Sequence, residues 1–529
     1  MNPKVLVSDK LSEAAVAIFR ERGLQVDYLP DLGKDKDALL ARIGEYDGLA
    51  IRSATKVSPK LIAAAERLKV IGRAGIGVDN VDLPAATARG IIVMNTPFGN
   101  AVTTAEHALS MMMALARQIP AANASTQAGK WEKNRFMGVE LFNKTLGLIG
   151  CGNIGSIVAD RALGLKMKVI AYDPFLSAER AIDIGVEKVE LDELLRRADF
   201  ISLHTPLTEK TRNILDAKAL AQTKKGVRII NCARGGLVVE EALKAALDAG
   251  HVAGAALDVF EVEPAEAHPL FGHENVVCTP HLGASTSEAQ ENVAVQIAEQ
   301  MADYLLSGAV SNALNMPSIS ADEAPRLKPF IALADKLGSF AGQLTEGPIE
   351  AIRIEYAGDV AEMNTRALTS AALAGVLKPM LGDVNMVSAP VAARERGMQV
   401  DEVRQTQRGT YDSYVRLSLK MAGGQQRSVA GTVFADGKPR VIQIKGINME
   451  AEFSRHMLYV TNADKPGFIG ALGMALGEAG VNIASFHLGR QERGGDAIAL
   501  VEIDEPLASP VLKRVQSLPH VKQAKPLSF

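Results

Sequence analysis

A glycine-rich turn between two strand-like segments constrains this chain more than any other feature. The apolar run Thr145–Ile149 is followed by Gly150-Cys-Gly-Asn-Ile-Gly155, then by a stretch with helical periodicity, and then by the strand-like run Val169–Asp173. This order of strand, Gly-x-Gly-x-x-Gly, helix and strand is typical of a dinucleotide-binding unit. It predicts an α/β domain with a parallel, Rossmann-type sheet.

Each glycine of this turn has a physical role in holding a dinucleotide. Gly150 permits the tight turn, Gly152 lets the pyrophosphate approach the backbone, and Gly155 lets the helix pack closely on the strand. The start of the helix presents N–H groups to the phosphates. Asp173 lies 18 residues after Gly155, near the ~20 expected for the acid that binds a ribose 2′-hydroxyl. Because a carboxylate repels a 2′-phosphate, the sequence predicts NAD as cofactor. A glycine-rich turn in an ordinary α/β domain is the alternative.

The bulk composition describes a globular chain of several domains. The 529 residues are 47% hydrophobic and 22% charged, with a net charge of −3 and no basic tract that would favour nucleic acid. Three cysteines without CxxC spacing predict neither a disulfide nor a zinc site, and they fit a reducing compartment. Neither a signal peptide nor an apolar run of ~18 residues is found. We therefore expect a cytoplasmic protein with no membrane partner.

The first part of the chain alternates strand-like and helical segments. Strand-like runs occur at 4–8, 25–29, 48–52, 70–72 and 91–95. They predict a flavodoxin-like substrate domain over residues 1–98, followed by a long helix from Ala101 to Gln118 that belongs to the NAD-binding domain, 99–284. The pattern Ser285-Thr-Ser-Glu288 is a capping box. It predicts a helix to about Leu306 that returns to complete the substrate domain with residues 285–316.

The C-terminal part has a different pattern. Residues 317–329 hold three prolines and are interpreted as a linker at the start of an α+β intervening domain, 317–452, in which no catalytic motif is found. Residues 453–529 follow the order β-α-β-β-α-β of a ferredoxin-like unit. Such a small sheet leaves an edge strand free, which favours pairing with a second copy. A small ligand could bind at the turn Asp464–Phe468.

Polar residues follow four strand-like runs of the NAD-binding domain. Because ligands bind beyond the carboxyl ends of strands in an open parallel sheet, we expect these residues to converge on the crevice that holds Gly150–Gly155. A helix cap is the alternative for any one of them alone. The runs end in the following segments: His204-Thr-Pro, Cys232-Ala-Arg-Gly-Gly236, Asp258-Val-Phe and Pro280-His281.

Three residues in or just after these segments could move a proton and hold a substrate beside a nicotinamide. His281 is the predicted general acid/base, because imidazole titrates near ~6.5. Glu263 is its predicted carboxylate partner, although Glu261 fits equally well on composition alone. Arg234 is predicted to hold a substrate carboxylate through its planar fork. The alternatives without a catalytic role are a structural histidine at position 281 and an ordinary Arg-Gly-Gly turn at Arg234.

Together these segments resemble the D-isomer-specific 2-hydroxyacid dehydrogenases, and the resemblance covers essentially the whole chain. It implies that Arg234, Glu263 and His281 are the catalytic residues; the family's glutamate directly precedes a proline, which favours Glu263. It also implies the following cofactor-binding residues: Gly150, Gly152, Asn153, Ile154, Gly155, Asp173, Thr205, Cys232, Ala233, Arg234, Asp258, His281 and Gly283.

Within the family the chain is similar to the long-form members, which carry an intervening domain and a C-terminal ACT domain. These members oxidise 3-phospho-D-glycerate to 3-phosphohydroxypyruvate with NAD, the first step of L-serine biosynthesis. The resemblance implies that Arg135 reaches the site of a partner subunit, although a solvated surface arginine is the alternative. The substrate-binding residues that it implies are Arg52, Ser53, Arg73, Gly75, Asn100 and Arg135.

The resemblance also implies regulation and assembly. Asn462, Asp464 and Asn482 match ACT positions where relatives bind serine, but relatives often carry a bulkier residue in place of Asn462, so L-serine is one possible effector. A homo-oligomer, a tetramer in the first instance, is expected. Other functions stay open: a reductase for hydroxypyruvate, glyoxylate or 2-oxoglutarate, a non-catalytic NAD-sensing protein, or an ACT-led amino-acid sensor.

Overall fold

The computed structural model describes residues 2–320, 322–382, 384–407 and 410–529. The chain folds into successive α/β units, each of which is built around its own sheet. This arrangement confirms the predicted fold class. No helix within the described ranges is both long and apolar enough to span a membrane.

The first unit has a parallel sheet with strand order β2-β1-β3-β4-β5, and its strands follow the predicted runs to within about one residue at either end. The central strands are buried on both faces, which explains their continuous apolar runs. The strands are β1 (Lys4–Val7), β2 (Gln25–Tyr28), β3 (Gly48–Ile51), β4 (Val70–Arg73) and β5 (Ile92–Met94). The helices are α1 (Glu13–Glu21), α2 (Lys36–Arg42), α3 (Pro59–Ala64) and α4 (Leu83–Ala88).

The second unit has a parallel sheet with strand order β12-β11-β10-β9-β6-β7-β8. The order reverses direction between β6 and β9, and such a reversal leaves a crevice at the carboxyl ends of the strands. The strands are β6 (Thr145–Ile149), β7 (Lys168–Tyr172), β8 (Glu187–Lys188), β9 (Phe200–Leu203), β10 (Val227–Asn231), β11 (Val252–Leu257) and β12 (Val276–Cys278). The helices are α5 (Ala101–Ala116), α6 (Ile119–Gln127), α7 (Asn153–Gly164), α8 (Ala178–Asp183), α9 (Leu191–Arg197), α10 (Ala217–Gln222) and α11 (Glu240–Asp248).

A long helix, α12 (Ser287–Ser307), returns to the first unit and packs against α1 and β4. The predicted capping box is wrong by one residue. The N-cap is Thr286, whose side chain accepts a hydrogen bond from Ala289 N, rather than Ser285. The domain boundaries at 98/99, 284/285 and 316/317 stay predictions.

Regular structure in the third unit begins earlier than the predicted linker 317–329 indicated. Helix α13 (Ala324–Gln343) starts inside the predicted linker 317–329, and the helix contains Pro329. Ala321, in the same predicted linker, lies outside the described residues. Proline removes a helical hydrogen bond, but burial of Leu327, Leu333 and Leu337 against the neighbouring elements outweighs that loss. The sheet order is β14-β13-β15-β16-β17-β18. Its other elements are β13 (Ile349–Gly358), α14 (Thr365–Leu381), α15 (Ala389–Glu395), β14 (Gln399–Gln405), β15 (Ser413–Met421), β16 (Gln426–Val433), β17 (Pro439–Ile444) and β18 (Ile447–Glu452).

The last unit has the predicted β-α-β-β-α-β order and a sheet of order β20-β21-β19-β22. One face of this sheet packs on its own helices through residues such as Leu458 and Val501. The opposite face, which includes Tyr459 and Leu500, joins the core of the third unit. The elements are β19 (His456–Ala463), α16 (Phe468–Gly477), β20 (Ile483–Arg490), β21 (Asp496–Ile503), α17 (Ser509–Gln516) and β22 (Val521–Ser528).

Candidate active site

A cleft of about 760 Å³ lies between the first and second units. The four strand ends that the sequence singled out all contribute to it, through β9, β10, β11 and the segment after β12. The first unit contributes the turn after β4. The lining segments lie within residues 53, 73–80, 97–104, 153–154, 204–207, 232–235, 259–263, 281–284 and 314.

The glycine-rich turn has the geometry that the sequence predicted. Gly150 has φ +94°, and a Cβ there would come within 2.5 Å of the carbonyl oxygen of His204. A Cβ at Gly155 would meet the carbonyl oxygen of Gly150 at 2.3 Å, so this glycine is what permits the close approach of α7 to β6. A Cβ at Gly152 would meet nothing within 4 Å. Gly152 therefore faces open space, as a site for a pyrophosphate requires.

Asp173 follows β7 and is held in place by two backbone amides. Its Oδ2 accepts from Cys151 N at 2.8 Å and its Oδ1 accepts from Phe175 N at 2.8 Å. The carboxylate is thus tied to the glycine-rich turn itself. This is the position from which an acid can accept a hydrogen bond from an adenosine ribose.

The other predicted cofactor contacts lie along the same cleft. Asn153 and Ile154 open α7, Thr205 follows β9, and Cys232 and Ala233 follow β10. His204, beside Thr205, is enclosed; burial lowers its pKa to about 4, so its ring is neutral near pH 7. Its Nε2 lies 2.8 Å from Ser202 Oγ. These residues form an uncharged surface along the cleft, and their contact with the cofactor stays a prediction.

His281 and Glu263 form a hydrogen-bonded dyad. His281 Nδ1 lies 2.7 Å from Glu263 Oε2, and Glu263 Oε1 accepts from Phe260 N at 3.0 Å. The bond from Glu263 raises the pKa of His281 above its ordinary value near 6.5, although partial burial opposes this. Burial raises the pKa of Glu263, but the bonds from His281 and Phe260 N outweigh it and the net shift is downward. Of the two glutamates that the sequence left open, Glu263 is the one bonded to His281.

Asp258 is fully buried, with 0% of its surface exposed. Its oxygens accept from Leu282 N at 2.7 Å, from Gly283 N at 2.8 Å and from Thr279 Oγ1 at 2.6 Å, and His107 Nε2 lies 3.2 Å away. Burial raises the pKa of Asp258, but these donors outweigh it and lower the pKa overall. Asp258 therefore holds the turn that carries His281. Its direct contact with NAD stays a prediction.

His107, on α5, also has polar contacts at this site. Besides approaching Asp258, its Nε2 lies 3.3 Å from Thr279 Oγ1. Thr104, one turn earlier on α5, donates to the carbonyl of Gly283 at 2.9 Å. Helix α5 thus supports the 279–283 segment through side chains at two successive turns. Thr104 and His107 are polar side chains one turn apart on a mostly apolar helix. This spacing was the sequence signal that could have indicated their role beside the 279–283 segment.

Arg234 is already paired. Its Nε donates to Asp79 Oδ2 at 2.8 Å, and its Nη1 donates to the carbonyl of Ala233 at 2.7 Å. Asp79 belongs to the turn after β4, so this ion pair joins the first and second units across the cleft. Sequence reasoning assigned no role to Asp79, because the two residues are 155 positions apart.

The last residue of β4, Arg73, is a partly buried cation. Arg73 Nε is buried without a hydrogen-bond partner among the described residues. Burial and the neighbouring charge of Arg234 lower the pKa of Arg73 to about 10. A Cβ at Gly75 would lie 1.6 Å from Arg73 Nη1, so this glycine leaves the space that the guanidinium occupies. An incoming anion would supply the missing acceptor.

The remaining predicted substrate residues differ in position. Ser53 lines the cleft, and Asn100 lines it with an Oδ1 that is buried and unpartnered among the described atoms. Arg52, which precedes Ser53 in the chain, donates from Nη1 to the carbonyl of Lys10 at 3.3 Å. Arg135 is exposed, pairs with Glu132 at 3.2 Å and does not line the cleft of its own chain. Its reach into a partner's site stays a prediction.

The structure does not bring the three predicted effector residues together within one chain. Asn462 and Asp464 lie at one end of the last sheet, where β19 meets Ala497 and Asp496. Asn482 precedes β20 and donates to Asp504 at 2.7 Å, at the opposite end of β21. Six residues of strand separate these ends, which corresponds to about 20 Å. Asp464 accepts from Gly494 N and Arg490, both at 3.0 Å, and these bonds lower its pKa.

Comparison with known proteins gives the class to which this fold and site belong. Residues 109–283 match the family model of the D-isomer specific 2-hydroxyacid dehydrogenase, NAD binding domain. Residues 326–445 match the D-3-phosphoglycerate dehydrogenase intervening domain, and residues 456–520 match the ACT domain.

Solved structures match a little over half of this chain. A Thermus thermophilus protein is 37% identical and covers 59% of this chain and 99% of its own, with a TM-score of 0.55. A glyoxylate reductase from Paecilomyes thermophila is 30% identical over 59% of this chain and 98% of its own, with a TM-score of 0.55. A D-lactate dehydrogenase from Aquifex aeolicus, complexed with NAD and lactic acid, is 28% identical over 59% of this chain and 100% of its own, with a TM-score of 0.53.

Relatives that span the whole chain are named D-3-phosphoglycerate dehydrogenase. The protein from Synechocystis sp. is 43% identical over 98% of this chain and 94% of its own length. Those from Bacillus subtilis and Methanocaldococcus jannaschii are 41% and 40% identical, and cover 99% and 98% of both chains. The chain belongs to the D-isomer-specific 2-hydroxyacid dehydrogenase family. Within that family its full-length relatives are the D-3-phosphoglycerate dehydrogenases, with which it shares the intervening and ACT domains.

Proposed function

We propose that this chain oxidises 3-phospho-D-glycerate to 3-phosphohydroxypyruvate with NAD, the first step of L-serine biosynthesis. The observation that carries the proposal is the His281–Glu263 pair, 2.7 Å apart, in the same cleft as the residues that flank the glycine-rich turn. Bound NAD would accept a hydride from the carbinol carbon. The chain itself must bind the substrate, orient it and remove the hydroxyl proton.

His281 is the proposed proton acceptor. Because Nδ1 is bonded to Glu263, the other ring nitrogen, Nε2, is free to take the hydroxyl proton during oxidation and to return it during reduction. Glu263 fixes the ring orientation and stabilises the imidazolium that forms. The raised pKa of His281 agrees with this division of roles.

Two arginines are the proposed substrate anchors. Arg234 would bind the carboxylate, since its guanidinium lies between β10 and the turn after β4. Arg73, whose buried Nε lacks an acceptor among the described residues, would bind the phosphate. Ser53 and Asn100 line the cleft and could donate further hydrogen bonds. Charge-assisted bonds of this kind contribute about 1.5–3 kcal/mol each.

To test the proposed substrate, kcat/KM is compared for 3-phospho-D-glycerate and for D-glycerate, with the formation of NADH as the measured signal. Loss of a charge-assisted anchor worth about 1.5–3 kcal/mol predicts a preference of at least tenfold for the phosphorylated acid. Equal values would favour a related reductase of 2-oxo acids, the activity class named for the Paecilomyes relative. Absence of any NADH-linked turnover would favour an NAD-sensing protein.

Oligomerisation is proposed from an exposed apolar segment. Trp131 and Met137 are 88% and 78% exposed, and Phe142 lies on the same connection between α6 and β6. Large apolar side chains grouped on a surface favour an interface. A homo-oligomer, with a tetramer favoured over a dimer, would cover these side chains. It could also carry Arg135 into the cleft of a neighbouring subunit. Light scattering on the purified chain would determine the assembly.

L-Serine is the proposed effector of the ACT domain, under a structural condition. Because Asn482 lies about 20 Å from Asn462 along β21, an effector that contacts all three residues requires a second copy. Pairing of two ACT domains could bring Asn482 of one chain to Asp464 of the other.

The free thiols of Cys151, Cys232 and Cys278 fit the proposed cytoplasmic location.

A further inference from the structure

The loop that carries Glu263 has little packing of its own. Residues 261–267 form neither a helix nor a strand, and most of them are exposed, including Val262 at 74%. The acid/base pair nevertheless needs Glu263 Oε2 within hydrogen-bond distance of His281 Nδ1, and the two atoms lie 2.7 Å apart. Contacts outside the loop must therefore fix its position.

Both ends of the loop are bonded to one carboxylate, that of Glu240, the first residue of α11. Its Oε1 accepts a hydrogen bond from Glu261 N at 2.8 Å, at the start of the loop. Its Oε2 lies 2.7 Å from His268 Nε2, directly after the loop. The side chains of Glu240 and His268 are 15% and 10% exposed, so water competes little for these two bonds.

His268 presents a donor to this carboxylate. Its Nδ1 accepts from Leu270 N at 3.3 Å, so the proton of the neutral ring lies on Nε2, which donates to Glu240. The His268 ring packs against Phe260, with the ring centroids 5.0 Å apart. The backbone N–H of Phe260 donates to Glu263 Oε1 at 3.0 Å. The contacts of Glu240 thus lead to the orientation of Glu263 from both ends of the loop.

Helix α11 gives the Glu240 carboxylate a rigid base. Leu243 and Leu247 on this helix are buried, and they belong to the same hydrophobic core as Phe260 and Leu270. A side chain on a packed helix is held more precisely than one on an exposed loop. The helix can therefore supply the precision that residues 261–267 lack.

We propose that Glu240 is a positioning residue for proton transfer, because it holds the loop that presents Glu263 to His281. This inference rests on the proposed function, in which His281 accepts the hydroxyl proton. Glu240 is not among the residues that line the catalytic cleft. It therefore acts through Glu263 and not on the substrate.

The test uses the full-length protein and the variant Glu240→Gln. This change keeps the size of the side chain but places an amide N–H₂ against one of the two donors. The matched control is Glu241→Gln, which removes the charge of the next residue on α11, an exposed one. A second variant, His268→Phe, keeps a ring that can pack on Phe260 and removes the donor to Glu240.

The first measurement is the pKa of His281, obtained by NMR titration of labelled histidines without substrate and assigned with His281→Ala. The bond from Glu263 is the main cause that raises this pKa. Asp258 and Arg234, whose charges also act on His281, are the same in all the other variants. The second measurement is the pH profile of kcat and kcat/KM for oxidation.

We expect the pKa of His281 to fall in Glu240→Gln and in His268→Phe, and kcat to fall about fivefold or more, since coupled contacts are lost. The rising limb of the oxidation profile should move to lower pH, because oxidation requires neutral His281. Affinity for NADH should be unchanged. Glu241→Gln should match the unmodified protein in every measurement.

Combining Glu240→Gln with Glu263→Gln distinguishes positioning from a direct effect of the lost charge. If Glu240 acts through Glu263, the double variant has the His281 pKa and the kcat of Glu263→Gln alone. Additive effects would overturn the proposal. So would an unchanged pKa of His281 in Glu240→Gln, or in His268→Phe where Glu240→Gln does not fold. Because the NMR titration needs no substrate, absence of turnover with 3-phospho-D-glycerate would overturn the proposed function alone.

Discussion

Arg234 Nε donates to Asp79 Oδ2 at 2.8 Å, so the cation proposed for the substrate carboxylate already holds a carboxylate of its own chain. Nη1 is bonded to the carbonyl of Ala233, and Nη2 has no acceptor among the described residues. A substrate carboxylate that binds side-on, with parallel bonds from Nε and Nη2, would have to displace Asp79. In that geometry the ion pair would compete with the substrate for Arg234.

We expect Asp79→Asn to lower the KM for 3-phospho-D-glycerate several-fold with little change in kcat. The physical reason is that a neutral amide competes less well than a carboxylate for the guanidinium. Steady-state assays at fixed NAD measure both constants. A rise in KM instead would mean that Asp79 positions Arg234 for the substrate.

The His281–Glu263 bond predicts a pH dependence. Oxidation requires neutral His281, whose pKa is raised above 6.5 by Glu263, so kcat/KM for oxidation should rise as pH increases through that raised pKa and then level off. In Glu263→Gln the pKa of His281 falls, and the rising limb should shift to lower pH. The maximal rate should also fall by at least about tenfold, because the imidazolium loses its partner. A pH profile whose rising limb stays in place in the variant would show that another group titrates.

The glycine-rich turn offers a matched set of variants. Gly155→Ala places a Cβ 2.3 Å from the carbonyl of Gly150 and should lower both the melting temperature and NADH affinity. Gly152→Ala meets no protein atom within 4 Å, so it should lower NADH affinity alone. Gly164→Ala, at the far end of α7, also meets nothing and serves as the control.

Fluorescence titration with NADH and thermal unfolding distinguish these outcomes. Normal NADH affinity in Gly152→Ala would contradict the assignment of the pyrophosphate to this turn.

Asp258 supports the 281–283 turn, and its replacement should show this. Asp258→Asn puts an amide N–H₂ where the structure has acceptors for backbone and hydroxyl donors. Leaving such buried donors unpaired costs about 1–3 kcal/mol. We expect a lower free energy of unfolding, measured with urea, together with reduced kcat. Loss of activity at full stability would instead indicate a direct role in binding NAD.

Much of the fold could be predicted from local sequence. Buried parallel strands give continuous apolar runs, and backbone geometry requires glycine at positions 150 and 155. The second unit was therefore identifiable from its apolar runs and its turn chemistry. The convergence of Arg234, Glu263 and His281 on one cleft follows from the parallel strand order. That order places the carboxyl ends of successive strands at one edge.

The elements that the sequence did not predict depend on tertiary contacts. Helix α13 includes Pro329, and only its burial against the neighbouring sheet explains why the helix continues through a residue that lacks an N–H. The Arg234–Asp79 pair joins residues far apart in sequence. The separation of Asn482 from Asn462 arises from strand register, which a resemblance between motifs does not reveal.

The most direct test of the central claim is the turnover of His281→Ala measured alongside its affinity for NADH. The account predicts a loss of turnover of about 10²–10⁴-fold, the usual contribution of a general acid/base, with NADH affinity close to that of the unmodified protein. Full turnover in this variant would contradict the account.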